Sequence, residues 1–122
     1  MDQGFRHYWW GNDLDWATNT ITGEWHHVIA QFDGTTRSLW FNGEEITSDN
    51  PGGHNAQIAD VNIGTTNNRT EHFDGLIDEV RLYNRGLTEA EIQQNYEATA
   101  FGAAVNPADK VASTWGKIKS QR

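Results

Sequence analysis

Three stretches of this chain carry most of the side chains that could do chemistry. The first, "YWWGNDLDW", sets Trp9 and Trp10 next to Asn12 and Asp13. Sugars offer apolar C–H faces that stack on aromatic rings, and hydroxyls that pair with amides or carboxylates. This segment supplies both within a few residues. Neighbours in a strand point to opposite sides, so the two Trp are expected on different sides: either one faces out as a platform for a sugar, or one packs in the core and the other covers a sheet edge. The second stretch, "TTNNRTEH", runs from Thr65 to His72. Asn67, Asn68, Arg69 and His72 could line a polar site there, or simply form a solvated hairpin tip. Asn68-Arg69-Thr70 is also a glycosylation sequon, relevant in a eukaryotic secretory setting.

The third stretch is "FDGLIDEVRLYNRGLTEAEI", from Phe73 to Ile92. Taken as a strand, it places Asp78 on the same face as Leu76, Val80 and Leu82. An ionised carboxylate there is costly to bury unless something compensates it. Backbone amides with a hydroxyl or His could do so, a buried Arg could pair with it, or a calcium ion could bind it. Calcium takes six to eight oxygens, and no D-x-D-x-D-G loop supplies them. Glu79 faces the other way, beside Arg81. His26 and His27 are adjacent in a strand and point apart, so they are poorly placed to share a metal. One of them reads as a core histidine bonded to Asp78 or to the backbone. Serine nucleophile elbows and H-E-x-x-H helices are absent, so an enzymatic activity is not expected.

Short strands must position these groups. "WHHVIAQF" alternates His26, Val28, Ala30 and Phe32 against Trp25, His27, Ile29 and Gln31. Asp33-Gly34 marks a turn, "SLWF" follows, and Asn42-Gly43 is a strong two-residue hairpin signal before "EEITS". Residues 25–48 therefore predict a three-stranded antiparallel meander. "GFRHYWW" reads as a strand, and "GNDLDWATNTITGE" as a loop with a short strand. "AQIADVNIG" reads as a half-buried strand ending at Gly64, and Phe73 to Arg85 as the last long strand. Thr88 and Glu91 make a capping box, so a short helix begins there, with Leu87, Ile92 and Tyr96 as anchors. The expected domain covers residues 1–102. Residues 103–122 read as a tail or linker, docked by Val111, Trp115 and Ile118 if it packs at all. Many short strands and one helix specify an all-β antiparallel sandwich.

Composition narrows the function classes. The chain has 122 residues, enough for one domain, and no cysteine, so disulfides and thiolate metal sites are excluded. Residues 1–105 carry 5 basic and 16 acidic side chains, a balance of -11, against +3 for the remainder, giving the net -8. Nucleic acid and anionic membranes would repel such a body. No stretch approaches the ~20 apolar residues of a membrane-spanning helix. The first ten residues lack a basic segment followed by an apolar one, so no signal peptide is expected within this chain.

"GEWHHVIAQFDGTTRSLWFNGEEI" followed by "VNIGTTNNRTEHFDGLIDEVRLYNRGLTEAEI" resembles the laminin G-like, concanavalin A-like jelly-roll family, and "YWWGNDL" resembles the strand and loop before that block. The resemblance spans roughly Gly4 to Tyr96. It implies a jelly roll with one short C-terminal helix. It adds weight to calcium, since many relatives hold that ion near the sheet rim with some ligands from early strands. Such domains usually begin with strands ahead of the "GFRHYWW" segment, and these are not in this sequence. An uncovered sheet edge, closed by a second copy in a homodimer, is the resulting expectation. Glycosidases of this shape carry alternating acids, E-x-D-x-E, about 5–5.5 Å apart for retention, and the segment here has only adjacent Asp78 and Glu79. The reading is a non-catalytic module of a secreted or cell-surface protein that binds carbohydrate or a glycosylated surface. The alternative is a structural or adhesion module for protein contact.

Overall fold

A computed structural model of the protein describes residues 4–18, 23–53, 60–66 and 68–100. The proposed docking residues Val111, Trp115 and Ile118, and the boundary at residue 102, lie outside them. Five strands form two antiparallel sheets. β1 (Gly4–His7) pairs with β2 (Leu14–Ala17), with Phe5 opposite Trp16. β3 (Val28–Phe32), β4 (Arg37–Phe41) and β5 (Glu44–Asp49) make the meander expected from the sequence.

Turn chemistry sets the meander's register. Asp33 Oδ1 accepts the amides of Thr35 and Thr36 at 2.8 and 2.7 Å, which closes the first turn. Asn42 and Gly43 both take positive φ, 51° and 85°, as a two-residue hairpin with the sheet's own twist requires. Gly43 has a second reason to be glycine. A Cβ there would lie 2.9 Å from the Gln93 and Tyr96 side chains, so the helix could not pack this close.

The meander is covered on both faces. On one, Phe41 meets Trp16 at 4.8 Å and Phe5 at 5.7 Å between ring centroids, and Phe32 meets Trp9 edge-on at 4.9 Å. The β1–β2 hairpin is thus the second layer of the sandwich. On the other, Ile29 and Trp40 pack with Leu87 and Ile92. Gln31 fastens this layer: its Oε1 accepts the Leu87 amide at 2.9 Å, and its Nε2 donates back to the Leu87 carbonyl. The helix α1 (Glu89–Ala100) starts with the expected capping box. Glu91 N–H donates to Thr88 Oγ1 at 3.3 Å, and Thr88 N–H donates to Glu91 Oε2 at 2.9 Å. Among the described residues no helix is long and apolar enough to cross a membrane.

Two expected strands are not formed among the described residues. Residues 60–64 lie outside any strand, with Val61 and Ile63 exposed; 56–59 fall outside the described residues. Residues 73–85 are likewise outside any strand, and Phe73, Leu76, Ile77, Val80, Leu82 and Tyr83 are exposed. Asp78 is exposed too, not sheltered among apolar neighbours. Its Oδ1 accepts the Glu79 amide at 2.8 Å, and Glu79 takes a positive φ of 53°. That left-handed residue interrupts the alternation on which Asp78's burial depended. No described strand supplies the ladder that would hold the segment flat.

The buried charge is elsewhere. Arg37 is fully buried in β4 and grips Asp49 with two nitrogens, Nε at 3.0 Å from Oδ1. Its third nitrogen donates to the Asn12 carbonyl, and its guanidinium lies 4.7 Å from the centre of a Trp9 ring. The bond holds the Asp49 carboxyl below its ordinary pKa.

Candidate functional site

β1 and the turn after it build one wall of an open cleft. Along the strand, Arg6 and Tyr8 face outward while Trp9 turns in toward Phe32 and Arg37. Simple alternation would then leave Trp10 on Trp9's opposite side, and a sharp turn fixes where it stands. Trp10 and Gly11 both adopt positive φ, 44° and 85°. A left-handed tryptophan costs on the order of 1–2 kcal/mol, which the surrounding turn must hold in place. Asp13 Oδ1 accepts the Trp9 amide at 2.7 Å, Asn12 N–H donates to the Trp9 carbonyl at 3.3 Å, and Asn12 Nδ2 donates to the Pro51 carbonyl at 3.0 Å. Trp10 ends 86% exposed, its ring perpendicular to that of Tyr8 at 6.0 Å.

The 65–72 hairpin is the opposite wall. Thr65 and His72 form an antiparallel bridge, and Thr66 N–H donates to the Glu71 carbonyl at 3.1 Å. Asn68 Oδ1 accepts the hydroxyls of Thr66 and Thr70 at 2.6 and 2.8 Å, which leaves its NH₂ group available. Arg6, Tyr8, Trp10, Thr66, Asn68 and Glu71 together line a cleft of about 590 Å³. That volume lies within the usual range for small-ligand sites.

The sequence candidates separate into three groups. Trp10 and Asn68, chosen from distant stretches, meet in this cleft. Trp9, Asn12 and Asp13 shape the turn that presents Trp10 rather than lining the cleft. Arg69 and His72 are exposed on the hairpin outside the lining set, Arg69 at a positive φ of 58°, and Asn67 lies outside the described residues. Arg6, Tyr8, Thr66 and Glu71 were not anticipated as site residues. Tyr8 carried a usable signal, because in a strand it shares a face with Arg6 and adjoins the Trp pair.

Arg6 lines the cleft but is already engaged. Asp15 Oδ2 takes its Nη2 at 2.9 Å, and Asp13 Oδ2 lies 3.8 Å from Nη1. Asp15 holds the guanidinium above its ordinary pKa, and the same bond lowers that of Asp15. The paired histidines do not converge. His26 Nδ1 lies 3.3 Å from Asn42 Nδ2 and the ring sits on Phe41, while His27 packs toward Tyr96. Burial lowers the His27 pKa, with nearby Arg81 adding to it. Neither bonds to Asp78. Among the described residues no three carboxylate or imidazole groups are placed to hold a metal ion, and Asp78 has no such company. The described residues around Asp78 therefore do not fit a calcium ion.

A sequence profile described as the concanavalin A-like lectin/glucanases superfamily, of the laminin G type, matches residues 2–93. The chain belongs to this superfamily. Its two antiparallel sheets and short helix are the elements of the superfamily's jelly-roll sandwich. Lectins and glucanases both occur in the superfamily, so membership alone does not separate binding from catalysis. No curated protein matches this concanavalin A-like chain. A solved structure similar to it is the S-layer domain-containing protein (residues 221–444) from Clostridium thermocellum. The two share 21% identity at a TM-score of 0.47, over 69% of this chain and 44% of the other. This chain thus spans less than half the length of that one.

Proposed function

We propose that this domain is a non-catalytic carbohydrate-binding module carried by a larger secreted or cell-surface protein. The supporting observation is the cleft in which exposed Trp10 and Tyr8 face the amide of Asn68. Aromatic faces take the C–H side of a sugar ring, and Asn68 Nδ2 and Thr66 offer hydrogen bonds to its hydroxyls. A binding role is also favoured by the carboxylates. Among the described residues Glu71 is the one acid that lines the cleft, whereas glycoside hydrolysis generally uses two. The test is Trp10→Ala on a glycan array, with near-ultraviolet circular dichroism as the fold control. Lost retention of glycans that bind the parent chain supports the reading. Unchanged retention overturns it.

A second reading, self-association, is favoured by the exposed apolar side chains of residues 73–83. The occupant would be a second copy. Laid antiparallel about the Glu79–Val80 bond, two copies of the segment set Asp78 opposite Arg81, Asp74 opposite Arg85 and Ile77 opposite Leu82. Pairing would require Glu79 to leave its positive φ, and Arg81 and Arg85 to exchange their present partners Glu79 and Glu91. Sedimentation over a wide concentration range tests this, and a monomer throughout would rule it out.

A further inference from the structure

We infer that the cleft selects saccharides bearing a free, protonated amine over neutral or acidic ones. The inference rests on the carbohydrate reading and names the class of sugar within it. It starts from the cleft's charge. Among the described residues the one cationic side chain in the lining, Arg6, is shared between Asp15 and Asp13 and has little positive field left for a ligand. Facing it is Glu71, whose backbone is fixed by the Thr66 amide and by the Thr65 hydroxyl at 2.9 Å. Its carboxylate makes no ion pair among the described residues. Arg69 occupies the same hairpin but is not in the lining. A uronate or sulfated sugar would meet an unneutralised carboxylate and a spent guanidinium.

An alkylammonium finds the opposite. The perpendicular rings of Tyr8 and Trp10 form an aromatic corner, and cations are attracted to aromatic faces. Glu71, in the same lining, offers a counter-charge. An amino sugar fits both demands, with its ring face for stacking and its ammonium for Glu71. Neutral and N-acetylated sugars keep the stacking and lose the charge. A preference on the order of fivefold for the amine form is the expected size at such an exposed site.

The experiment is calorimetric titration of the intact chain with a glucosamine tetramer and with its fully N-acetylated counterpart, at mildly acidic pH and low salt. A galacturonic acid tetramer is the acidic control. Tighter binding of the amine form, reduced by added salt and abolished as a preference by Glu71→Gln, supports the inference. Glu71→Gln keeps the backbone bonds that hold the hairpin, and an unchanged melting curve confirms its fold. Equal binding of the first two tetramers, or a preference for the uronate, overturns the amine selectivity while leaving the carbohydrate reading intact. Failure of every tetramer to bind overturns both.

Discussion

Two regions with equally regular hydrophobic alternation meet different fates. Val28–Phe32 becomes an edge strand of the three-stranded sheet with packing on both faces, while Leu76–Leu82, richer still in Leu, Ile and Val, stays outside any strand and exposed. The first pairs with β4 across the turn at residues 33–36, and Gln31 ties it to Leu87. The second has a polar hairpin before it and the helix after it, and no strand alongside among the described residues. Alternation prescribes which side chains would share a face. A backbone partner is what turns that prescription into burial.

The sharpest way to break the covered region is at the buried charge of Arg37. Asp49→Ala leaves Arg37 buried and unmatched, and is expected to cost roughly 3–4 kcal/mol in urea unfolding. Asn12 and Trp9 share that guanidinium, so Trp fluorescence should shift before the main transition. Next is a paired comparison. Ile92→Ala, at a site with no solvent exposure, is expected to cost about 3 kcal/mol, whereas Leu82→Ser in the uncovered segment should stay within about 0.5 kcal/mol for the monomer. A large loss at Leu82 would show that the segment is covered in solution.

Acid should separate the regions more gently. Glu91 is held at about 2, below its ordinary 4.5, by its bonds to Arg85 and the Thr88 amide. A depressed carboxylate favours the folded state fully above pH 4.5, and that contribution disappears as the pH falls toward 2. Asp15, Asp33 and Asp49 shift in the same direction. Melting temperature is therefore expected to drop across that interval, with Glu91→Gln showing a shallower fall than the parent. The smallest effect is for chelator, which should leave the melting curve unchanged. A clear decrease would restore calcium as a structural ion.

How much of this was legible depended on local chemistry. Asp33-Gly34 and Asn42-Gly43 dictated the meander because each turn demands those residues. Thr88 and Glu91 fixed the helix start for the same reason. Strand alternation was expected to set Trp9 and Trp10 on opposite sides; both lie beyond β1, and the turn after it leaves Trp9 half-buried and Trp10 exposed. That Trp10 would join Tyr8 across a left-handed turn was hidden, because the turn's geometry depends on Asp13 and on a carbonyl held by a distant strand. Arg37 gave no signal of burial, since its partner lies on the neighbouring strand and its third contact comes from the turn that joins β1 to β2. Asp78 misled for the converse reason: its flanks look like a core strand, and one positive φ at Glu79 undoes the pattern.

The placement of Arg37 ties durability to recognition. A single guanidinium braces the sandwich interior and steadies the turn on which the exposed indole stands. Drift in its surroundings would therefore be felt twice, as a softer fold and as a poorly aimed ring. A bound ligand that clamps the ring should send its influence back along the same route and slow the exchange of amides deep in β4.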